Sequence, residues 1–501
     1  MRSLEGIEPE KVFYYFEEIS RIPRGSYHEK AVSDYLVGFA KERNITCYQD
    51  KLYNVVMQVP ASKGRENEEP VILQGHMDMV CEVRPGVYKD MEKEGLELMV
   101  DGDYVYAKDT TLGGDDGIAV AYMLAIADDE SISHPPLEYI ITVSEEVGME
   151  GANGIDLSML KGHRMLNLDS EDEGIFLSSC AGGVSAHVTI PVSWVSIPDQ
   201  PDMWYRLSVT GLLGGHSGCE IDKGRANANK LLGRALNEIL TKVNFVVADL
   251  RGGKKDNAIP ILAEAVIGIV NDDQDSEEKL NSVINELNGI LKNEYAVSDP
   301  DVMIKLEKQT EIASTDSDSD VRIIQNGNSA YVLSNESRDK VTTYLMTVPD
   351  GIQNMSMSVK GLVETSLNIG ILELKKDHLF AQHAVRSSVT TRKEYVVRQL
   401  EELASVLGGN VELKGDYPAW EYVEDSEVRK RAVKLWEKMY GKKPVVEGIH
   451  AGLECGLLAA KIPDLDCVAM GPDITDIHTY NERLSISSTK RVYDFVVEFL
   501  K

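Results

Sequence analysis

The sequence has 501 residues, of which 43 % are apolar, and it carries 82 acidic and 52 basic side chains, a net charge of −30 at pH 7. A chain of this length and apolar content can bury a large core, which excludes both global disorder and a small fold held together by disulfides. The negative charge excludes a nucleic acid or an anionic membrane as a partner, because phosphate surfaces attract Lys and Arg. The length predicts about two to four domains.

Neither a signal peptide nor a membrane span is predicted. The first residues lack an apolar stretch of signal-peptide length, and no window approaches the roughly 18 apolar residues that a span requires. The six cysteines are scattered singly, without a C-x-x-C pair, which is typical of reduced structural thiols. We therefore expect a cytoplasmic protein.

Helix-like and strand-like segments alternate through the first third of the chain. Periodicity predicts helices at 9–22, 28–43 and 117–129, and strands at 71–80, 137–144 and 163–169. Such alternation is typical of the α/β class, with a mostly parallel sheet covered by helices on both faces.

From about residue 187 the pattern changes to alternating strands and amphipathic helices. Strands are predicted at 204–211 and 354–361, and helices at 228–240, 276–293 and 393–407. We predict an inserted α+β lid domain at 187–412 and a catalytic domain formed by 1–186 and 413–501. The order of strands and helices repeats within the insertion without a residue-level repeat, so duplication of the lid stays open.

The acidic run 315–320 resembles the start of a calcium-binding loop. The loop would need Gly at its sixth position and Glu at its twelfth, and the sequence supplies neither. A solvated surface loop is the favoured interpretation.

Metal-type side chains lie where several predicted strands end. His76 and Asp78 are two residues apart on one strand, so an imidazole that binds a metal can be oriented by the carboxylate. Further candidates at strand ends or at the start of a helix are Asp115, Glu145, Glu146, Asp169 and His478. Each of them alone also fits a structural role, such as helix capping by Asp115. Together they lie where open α/β sheets bind ligands, and carboxylates with imidazoles suit a hydrolytic centre with two ions of the zinc, manganese or cobalt type.

Six motifs, in this order, carry a resemblance to a known family: Q-G-H-M-D-M-V, T-T-L-G-G-D-D-G, T-V-S-E-E-V-G-M-E-G, N-L-D-S-E, G-G-H-S-G and I-H-A-G-L-E-C-G. From about residue 5 to the end, the sequence resembles metallopeptidase family M20, and within it the aminoacyl-histidine dipeptidases. Two departures concern metal preference. The turn that commonly reads G-A-D-N-G here reads G-G-D-D-G, so that Asp116 places extra negative charge beside Asp115. His478 is followed by T-Y-N-E where S-P-D-E is usual.

The resemblance implies two divalent metal ions, with zinc as the expected metal and manganese or cobalt as alternatives. Asp115 would bridge the two ions. His76 and Asp169 would complete the first ion's protein ligands, and Glu146 and His478 those of the second.

The resemblance also implies roles in catalysis for two further carboxylates. Asp78 would fix the tautomer of His76. Glu145 would be the general base that takes a proton from a water activated by the metals and passes it to the leaving amine.

In the lid, His216 of G-G-H-S-G would stabilise the developing oxyanion. Asn257 and Arg386 resemble positions that bind the substrate's C-terminal carboxylate. A hydrogen-bonded turn histidine is the structural alternative for His216, and a surface salt bridge is the alternative for Arg386. His450 and Glu454 match a family segment near the active site, and substrate binding, helix capping or packing would account for them.

The sequence therefore predicts a two-metal dipeptidase for unblocked dipeptides, including Xaa-His types. One alternative is an N-acyl-amino-acid deacylase or desuccinylase on the same scaffold, and another is a non-catalytic peptide-binding protein. The expected partners are small dipeptides, and the resemblance leaves both a homodimer and a monomer open.

Overall fold

The computed structural model describes residues 2–197, 201, 203–269, 275–309 and 330–501. The acidic run 315–320 lies outside the described residues. No helix among those residues is both long enough and apolar enough to span a bilayer.

The elements follow one another along the chain in three segments. Residues 2–180 form helices α1 (Glu10–Ser20), α2 (Lys30–Glu42), α3 (Gly114–Ala127) and α4 (Glu150–Gly154), and strands β1 (Thr46–Gln49), β2 (Val55–Val59), β3 (Val71–His76), β4 (Leu98–Asp101), β5 (Tyr104–Ala107), β6 (Leu137–Thr142), β7 (Arg164–Asn167) and β8 (Ile175–Cys180).

The middle segment contains strands β9 (Gly182–Pro191), β10 (Trp194–Ile197), β11 (Met203–Thr210), β12 (Gly215–His216), β13 (Phe245–Gly252), β14 (Ala258–Ile259), β15 (Ala263–Ile269), β16 (Met303–Gln309), β17 (Ala330–Leu333), β18 (Gly351–Met355), β19 (Val363–Leu374), β20 (His378–Ser387) and β21 (Asn410–Tyr417). Its helices are α5 (Ala228–Leu240), α6 (Ser276–Glu294), α7 (Asn335–Thr347) and α8 (Thr390–Val406), with a 3₁₀ turn at Ile221–Lys223. The last segment contains α9 (Glu427–Tyr440), β22 (Val445–Ile449), α10 (Glu454–Lys461), β23 (Asp466–Ala469), β24 (Ile474–Thr475), β25 (Arg483–Ser485) and α11 (Ile486–Leu500).

These elements belong to two compact units. The first unit consists of Met1–Cys180, Trp420–Gly448 and Leu453–Lys501, and the second consists of Ala181–Ala419 and Ile449–Gly452. The boundaries predicted at 186 and 413 lie inside the second unit, because its strand β9 already begins at Gly182 and its strand β21 ends only at Tyr417.

The first unit is built on a mixed eight-stranded sheet with strand order β1-β2-β6-β3-β7-β23-β8-β22. The pairs β6–β3, β3–β7 and β7–β23 are parallel, whereas β1–β2, β2–β6 and β23–β8 are antiparallel. The sheet is thus parallel at its centre only, which corrects the expectation of a mostly parallel sheet. Strands β3 and β6 are buried along their whole length, as central parallel strands must be.

Helix α3 packs against β3 and against α1, and it is apolar and buried over almost all of its length. The carboxyl ends of β3, β6, β7 and β23 meet at one edge of the sheet because these four strands are parallel. That edge carries the segments that follow His76, Thr142, Asn167 and Ala469.

Several predicted strands end earlier than expected, and the difference is largest for two of them. The strand predicted at 71–80 ends at His76, because the carbonyls of Met77 and Asp78 accept hydrogen bonds from the Arg24 guanidinium at 2.9 and 3.0 Å. The strand predicted at 354–361 was wrong beyond Met355. There the Ser356 hydroxyl accepts hydrogen bonds from two backbone N–H groups further along and turns the chain.

The second unit is built on a nine-stranded sheet with strand order β16-β11-β15-β13-β19-β20-β9-β21, to which β18 is added beside β19. All of its recorded pairings are antiparallel. Its core consists of apolar side chains from these strands and from helices α5 to α8. Each unit thus has a hydrophobic core of its own.

Candidate metal centre

The carboxylate of Asp115 lies between two imidazoles. Its Oδ1 is 3.0 Å from Nε2 of His76, and its Oδ2 is 3.1 Å from Nε2 of His478. Asp115 is placed there by the turn that opens α3, and His76 by the end of β3. His478 follows β24 and has a left-handed backbone with φ of 60°. Left-handed non-glycine residues are uncommon and cluster at functional sites.

The other predicted ligands join the same cluster. Glu146 Oε2 lies 3.0 Å from Nε2 of His478, and Asp169 Oδ1 lies 3.6 Å from Nε2 of His76. The structure therefore brings all five predicted metal ligands together in the first unit. The donor atoms of His76, Asp115 and Glu146 lie within 4.8 Å of one another, as a group able to hold a metal ion does.

Asp116 belongs to this cluster as well, although the sequence indicated it only as extra negative charge. Its donor atom lies within 4.8 Å of those of His76 and Asp169, in a second group able to hold an ion. Asp116 Oδ2 also accepts a hydrogen bond from the backbone N–H of His76, at 3.2 Å. In the sequence alone, a second carboxylate in a turn looks the same whether it is a metal ligand or a charge on the surface.

The electrostatics of the cluster fit divalent cations. Burial and the neighbouring carboxylates raise the pKa of Asp169 and of Glu146. Hydrogen bonds to Asp115 and Glu146 raise the pKa of His478 to about 10. The Oε1 atom of Glu146 is buried and has no hydrogen-bond partner among the described residues. A buried carboxylate oxygen without a donor, in a site crowded with negative charge, matches the oxygen and imidazole ligands of two divalent ions.

Asp78 connects the first imidazole to the two adjacent glutamates. Its Oδ1 lies 3.3 Å from Nδ1 of His76 and accepts a hydrogen bond from the backbone N–H of Glu145 at 3.1 Å. Its Oδ2 accepts hydrogen bonds from Ser26 Oγ at 2.8 Å and from the backbone N–H of Glu146 at 3.3 Å. Despite burial, the contact with His76 lowers the pKa of Asp78. Asp78 therefore stays ionised and lies beside Nδ1 of His76, whose Nε2 faces Asp115.

Glu145 is half-buried at the end of β6. Burial raises its pKa well above the usual range, and the charges of Asp169 and Glu454 add to this effect. A carboxylate with a raised pKa holds a proton more strongly, which is the property that a general base needs near neutral pH.

Glu454, whose role the sequence left open, is buried behind the metal-type residues in the first unit. Its Oε2 accepts hydrogen bonds from Gln74 Nε2 at 2.5 Å and from Thr142 Oγ1 at 2.6 Å. Asn167 donates to Gln74 Oε1 at 2.5 Å, so β3, β6 and β7 are linked near their carboxyl ends. Burial raises the pKa of Glu454 to about 7.

The second unit contains the remaining predicted site residues. Nδ1 of His216 accepts hydrogen bonds from the backbone N–H groups of Gly218 and Cys219, at 3.2 and 3.1 Å. An acceptor Nδ1 requires the proton of the neutral ring to be on Nε2. Burial and the charge of Arg386 lower the pKa of His216, which keeps the ring neutral. His216 thus presents an Nε2–H donor.

Asn257 and Arg386 line a cavity of about 450 Å³ in the second unit, together with Tyr417. Arg386 Nη1 donates to Tyr417 Oη at 3.0 Å, and Arg386 forms no salt bridge with the described residues. The backbone carbonyl of Asn257 accepts a hydrogen bond from Ser217, next to His216. His450 Nε2 lies 2.7 Å from Ser366 Oγ, and burial together with Arg386 lowers the pKa of His450 to about 3.

Three comparisons with known proteins agree with one another. The sequence profile of "Peptidase family M20/M25/M40" matches residues 72–501. The cytosol non-specific dipeptidase of Escherichia coli (strain K12) is 35 % identical over 501 residues, which cover 100 % of this chain and 99 % of that protein. The crystal structure of the aminoacylhistidine dipeptidase from Vibrio alginolyticus superimposes with a TM-score of 0.90 and 33 % identity, over 99 % of this chain and 97 % of that one.

A more distant structure shares the fold alone. The aminopeptidase PepT from Bacillus cereus has a TM-score of 0.56 and 16 % identity, over 99 % of this chain and 98 % of that one. The profile match and the full-length identity show that this chain belongs to peptidase family M20/M25/M40.

Proposed function

We propose that this protein is a metal-dependent dipeptidase that hydrolyses unblocked dipeptides, including those of the Xaa-His type. The observation that carries the proposal is the position of the Asp115 carboxylate, whose two oxygens face His76 and His478 from opposite ends. The similarity to a cytosol non-specific dipeptidase and to an aminoacylhistidine dipeptidase supports the substrate class. The name of the first relative also supports a cytoplasmic location.

Two divalent cations, with zinc as the expected metal, are held by the cluster around Asp115 in this proposal. His76, Asp115 and Asp169 would hold one ion. Asp115, Glu146 and His478 would hold the other. When bound, such a pair would acidify a water molecule and polarise the scissile carbonyl.

Glu145 is the residue that moves the proton. Its carboxylate accepts a proton from the attacking water and then donates it to the nitrogen of the leaving amine. The raised pKa of Glu145 supports this assignment, because a proton received at this carboxylate is kept until the amine takes it. Asp78 stabilises the arrangement by holding the backbone N–H groups of both Glu145 and Glu146.

The second unit acts as a lid that binds and orients the substrate in this proposal. The Nε2–H of His216 donates to the oxygen of the scissile carbonyl as negative charge develops there. Arg386 and Asn257 bind the C-terminal carboxylate of the dipeptide, for which the guanidinium offers paired donors. The absence of a carboxylate partner for Arg386 among the described residues supports this role, since its charge is then available to a substrate.

A single assay distinguishes this proposal from a deacylase on the same scaffold. Purified protein loaded with zinc, manganese or cobalt is incubated with a free dipeptide, such as one ending in His, and with its N-acetyl counterpart. We expect hydrolysis of the free dipeptide. Preference for the acetylated compound would instead indicate an N-acyl-amino-acid deacylase, and binding without turnover with all three metals would indicate a peptide-binding protein.

A further inference from the structure

The backbone before Asp115 is held by a carboxylate from a distant part of the same unit. Glu482 Oε2 accepts hydrogen bonds from the N–H groups of Leu112 and Gly113, at 2.7 and 2.9 Å. Glu482 Oε1 accepts from those of Gly114 and Asp115, at 2.7 and 3.4 Å. Glu482 is only 2 % exposed. Four consecutive N–H groups thus converge on one buried carboxylate, as they do where a backbone turn binds an anion.

The N-terminus of α3 relies on this carboxylate. No side chain of the turn caps the helix, and Asp115 itself has non-helical backbone angles. The first N–H groups of a helix need acceptors, and these are usually supplied by a Ser, Thr, Asp or Asn at the cap. Here the acceptor lies 367 residues away from Asp115 in the chain. A capping side chain within the turn would have provided acceptors for the first N–H groups of the helix and nothing more. Glu482 provides these acceptors and also connects the helix to the segment that contains Glu482.

The glycines of the turn are explained by this arrangement. A Cβ atom on Gly114 would lie 3.2 Å from Glu482 Oε1, and one on Gly113 would lie 2.5 Å from a nitrogen of the Arg24 guanidinium. Arg24 is buried and donates to the carbonyl of Gly113 and to those of Met77 and Asp78. The turn is therefore held from two sides, with its N–H groups on Glu482 and its carbonyl on Arg24.

The segment that carries Glu482 also carries His478, four residues earlier. His478 contacts Asp115 Oδ2 at 3.1 Å, while Glu482 binds the backbone of Asp115. We propose that Glu482 is a positioning residue that aligns Asp115 and His478 so that they bind one ion together, an inference that rests on the proposed two-metal function. Glu482 acts through backbone N–H groups and through the loop 478–482, and it is not itself a ligand.

The test is a Zn²⁺ titration of metal-free protein, by calorimetry, with the wild type and the Glu482→Gln variant. Gln keeps the length of the side chain but offers one acceptor oxygen in place of two and turns an NH₂ group toward N–H donors. We expect the affinity for one of the two ions to fall by about 10- to 100-fold, which is the usual effect of losing a group that orients metal ligands. The visible absorption of the Co²⁺-loaded protein should change, because it reports the coordination geometry. In dipeptide hydrolysis, kcat should fall with little change in KM.

Glu138→Gln is the matched control. Glu138 is also a buried carboxylate of the first unit that accepts backbone N–H groups, from Lys161 and Gly162 at 2.9 to 3.2 Å, but at the opposite end of β6. This variant should lose thermal stability without any change in Zn²⁺ affinity or in the Co²⁺ spectrum. Equal loss of Zn²⁺ affinity in both variants would overturn the inference, since the effect would then be general destabilisation.

If the Glu482→Gln variant does not fold, the same Zn²⁺ titration is carried out with the Gly114→Ala variant. The added methyl group displaces the Glu482 carboxylate while the carboxylate itself is retained, so the same weakening of one ion is expected to a smaller extent. Wild-type affinity in the folded variant would overturn the inference. The wild-type titration separates this inference from the proposed function: fewer than two Zn²⁺ per wild-type chain would refute the two-metal centre, whereas two Zn²⁺ in both wild type and Glu482→Gln with equal affinity would refute only the role of Glu482.

Discussion

Asp115 Oδ2 and His478 Nε2 lie 3.1 Å apart, although 363 residues separate the two side chains in the sequence. The other oxygen of the same carboxylate faces His76. A carboxylate whose two oxygens each face an imidazole is suited to binding two cations at once. Substitution of Asp115 or His478 is therefore the most direct test of the metal centre.

The Asp115→Ala variant should lose both metal ions, whereas His478→Ala should lose one. Asp115 is the only carboxylate in the described part of the chain that forms ion pairs with both imidazoles, and the ion pairs of His478 are with Asp115 and Glu146. Metal content per chain, measured by plasma mass spectrometry after dialysis, checks this expectation. Loss of two ions from His478→Ala would contradict the division of ligands given above.

The Glu145→Ala variant should lose turnover while its metal content stays close to that of the wild type. Among the described residues, Glu145 forms no hydrogen bond or ion pair with either imidazole. Its backbone is held by Asp78 through the N–H group, which an alanine also provides. Dipeptide hydrolysis and metal analysis on the same preparation make the comparison. A parallel loss of metal would show that Glu145 is a ligand rather than a base.

The His216→Ala variant should lower kcat by roughly 10²-fold or more, because it removes a donor directed at charge that develops in the transition state. Metal content should not change, since His216 belongs to the second unit. His216→Asn is an informative companion, because its side chain keeps an N–H donor. Near-normal kcat in the alanine variant would leave His216 with a structural role only.

Because His383 is buried as a neutral imidazole, the free energy of unfolding should decrease as the pH falls. This ring is 0 % exposed, its Nε2 lies 2.5 Å from Tyr344 Oη, and burial lowers its pKa to about 3. In the unfolded chain the group titrates near 6.5, so between these values only the unfolded state binds the proton, and stability falls as pH drops below about 6.5.

The measurement is the free energy of unfolding of metal-free wild type and of His383→Gln at pH 7 and pH 5. The variant starts less stable, and its disadvantage should shrink by about 2 kcal/mol on acidification, because it has no proton to gain at this position. Other titrating groups are common to both proteins and cancel in the comparison. A constant difference at the two pH values would mean that the ring of His383 binds its proton in the folded protein as readily as in the unfolded chain.

Sequence periodicity predicted the elements best where a segment forms an amphipathic helix with one buried face. Helix α5 spans Ala228–Leu240, the range predicted, because its apolar positions recur at helical spacing and Asn227 caps it. The errors came from interactions that periodicity does not contain. Strand β3 ends at His76 because the next carbonyls accept hydrogen bonds from Arg24 instead of from a neighbouring strand. Strands β1 and β2 run antiparallel at one side of the first sheet, and no local feature of the sequence indicates that direction.

The candidate ligands could be predicted because they are Asp, Glu and His residues near the ends of predicted strands, where open α/β sheets bind ligands. The residues that hold them in place could not. Glu482 and Arg24 act on backbone groups far away in the sequence, and a buried Glu or Arg looks in a sequence like a surface charge. The role of Asp116 is hidden in the sequence for the same reason, since only the folded turn shows that its oxygen approaches His76 and Asp169.

The insertion of the second unit between parts of the first affects how the protein matures during translation. A ribosome delivers His76, Asp115, Glu146 and Asp169 early, and it must then synthesise the whole of Ala181–Ala419 before His478 and Glu482 emerge. In the proposed assignment, the ligands of one cation are therefore synthesised well before His478, which completes those of the other. We therefore expect a nascent chain that lacks His478 to have no hydrolytic activity toward the peptides around it.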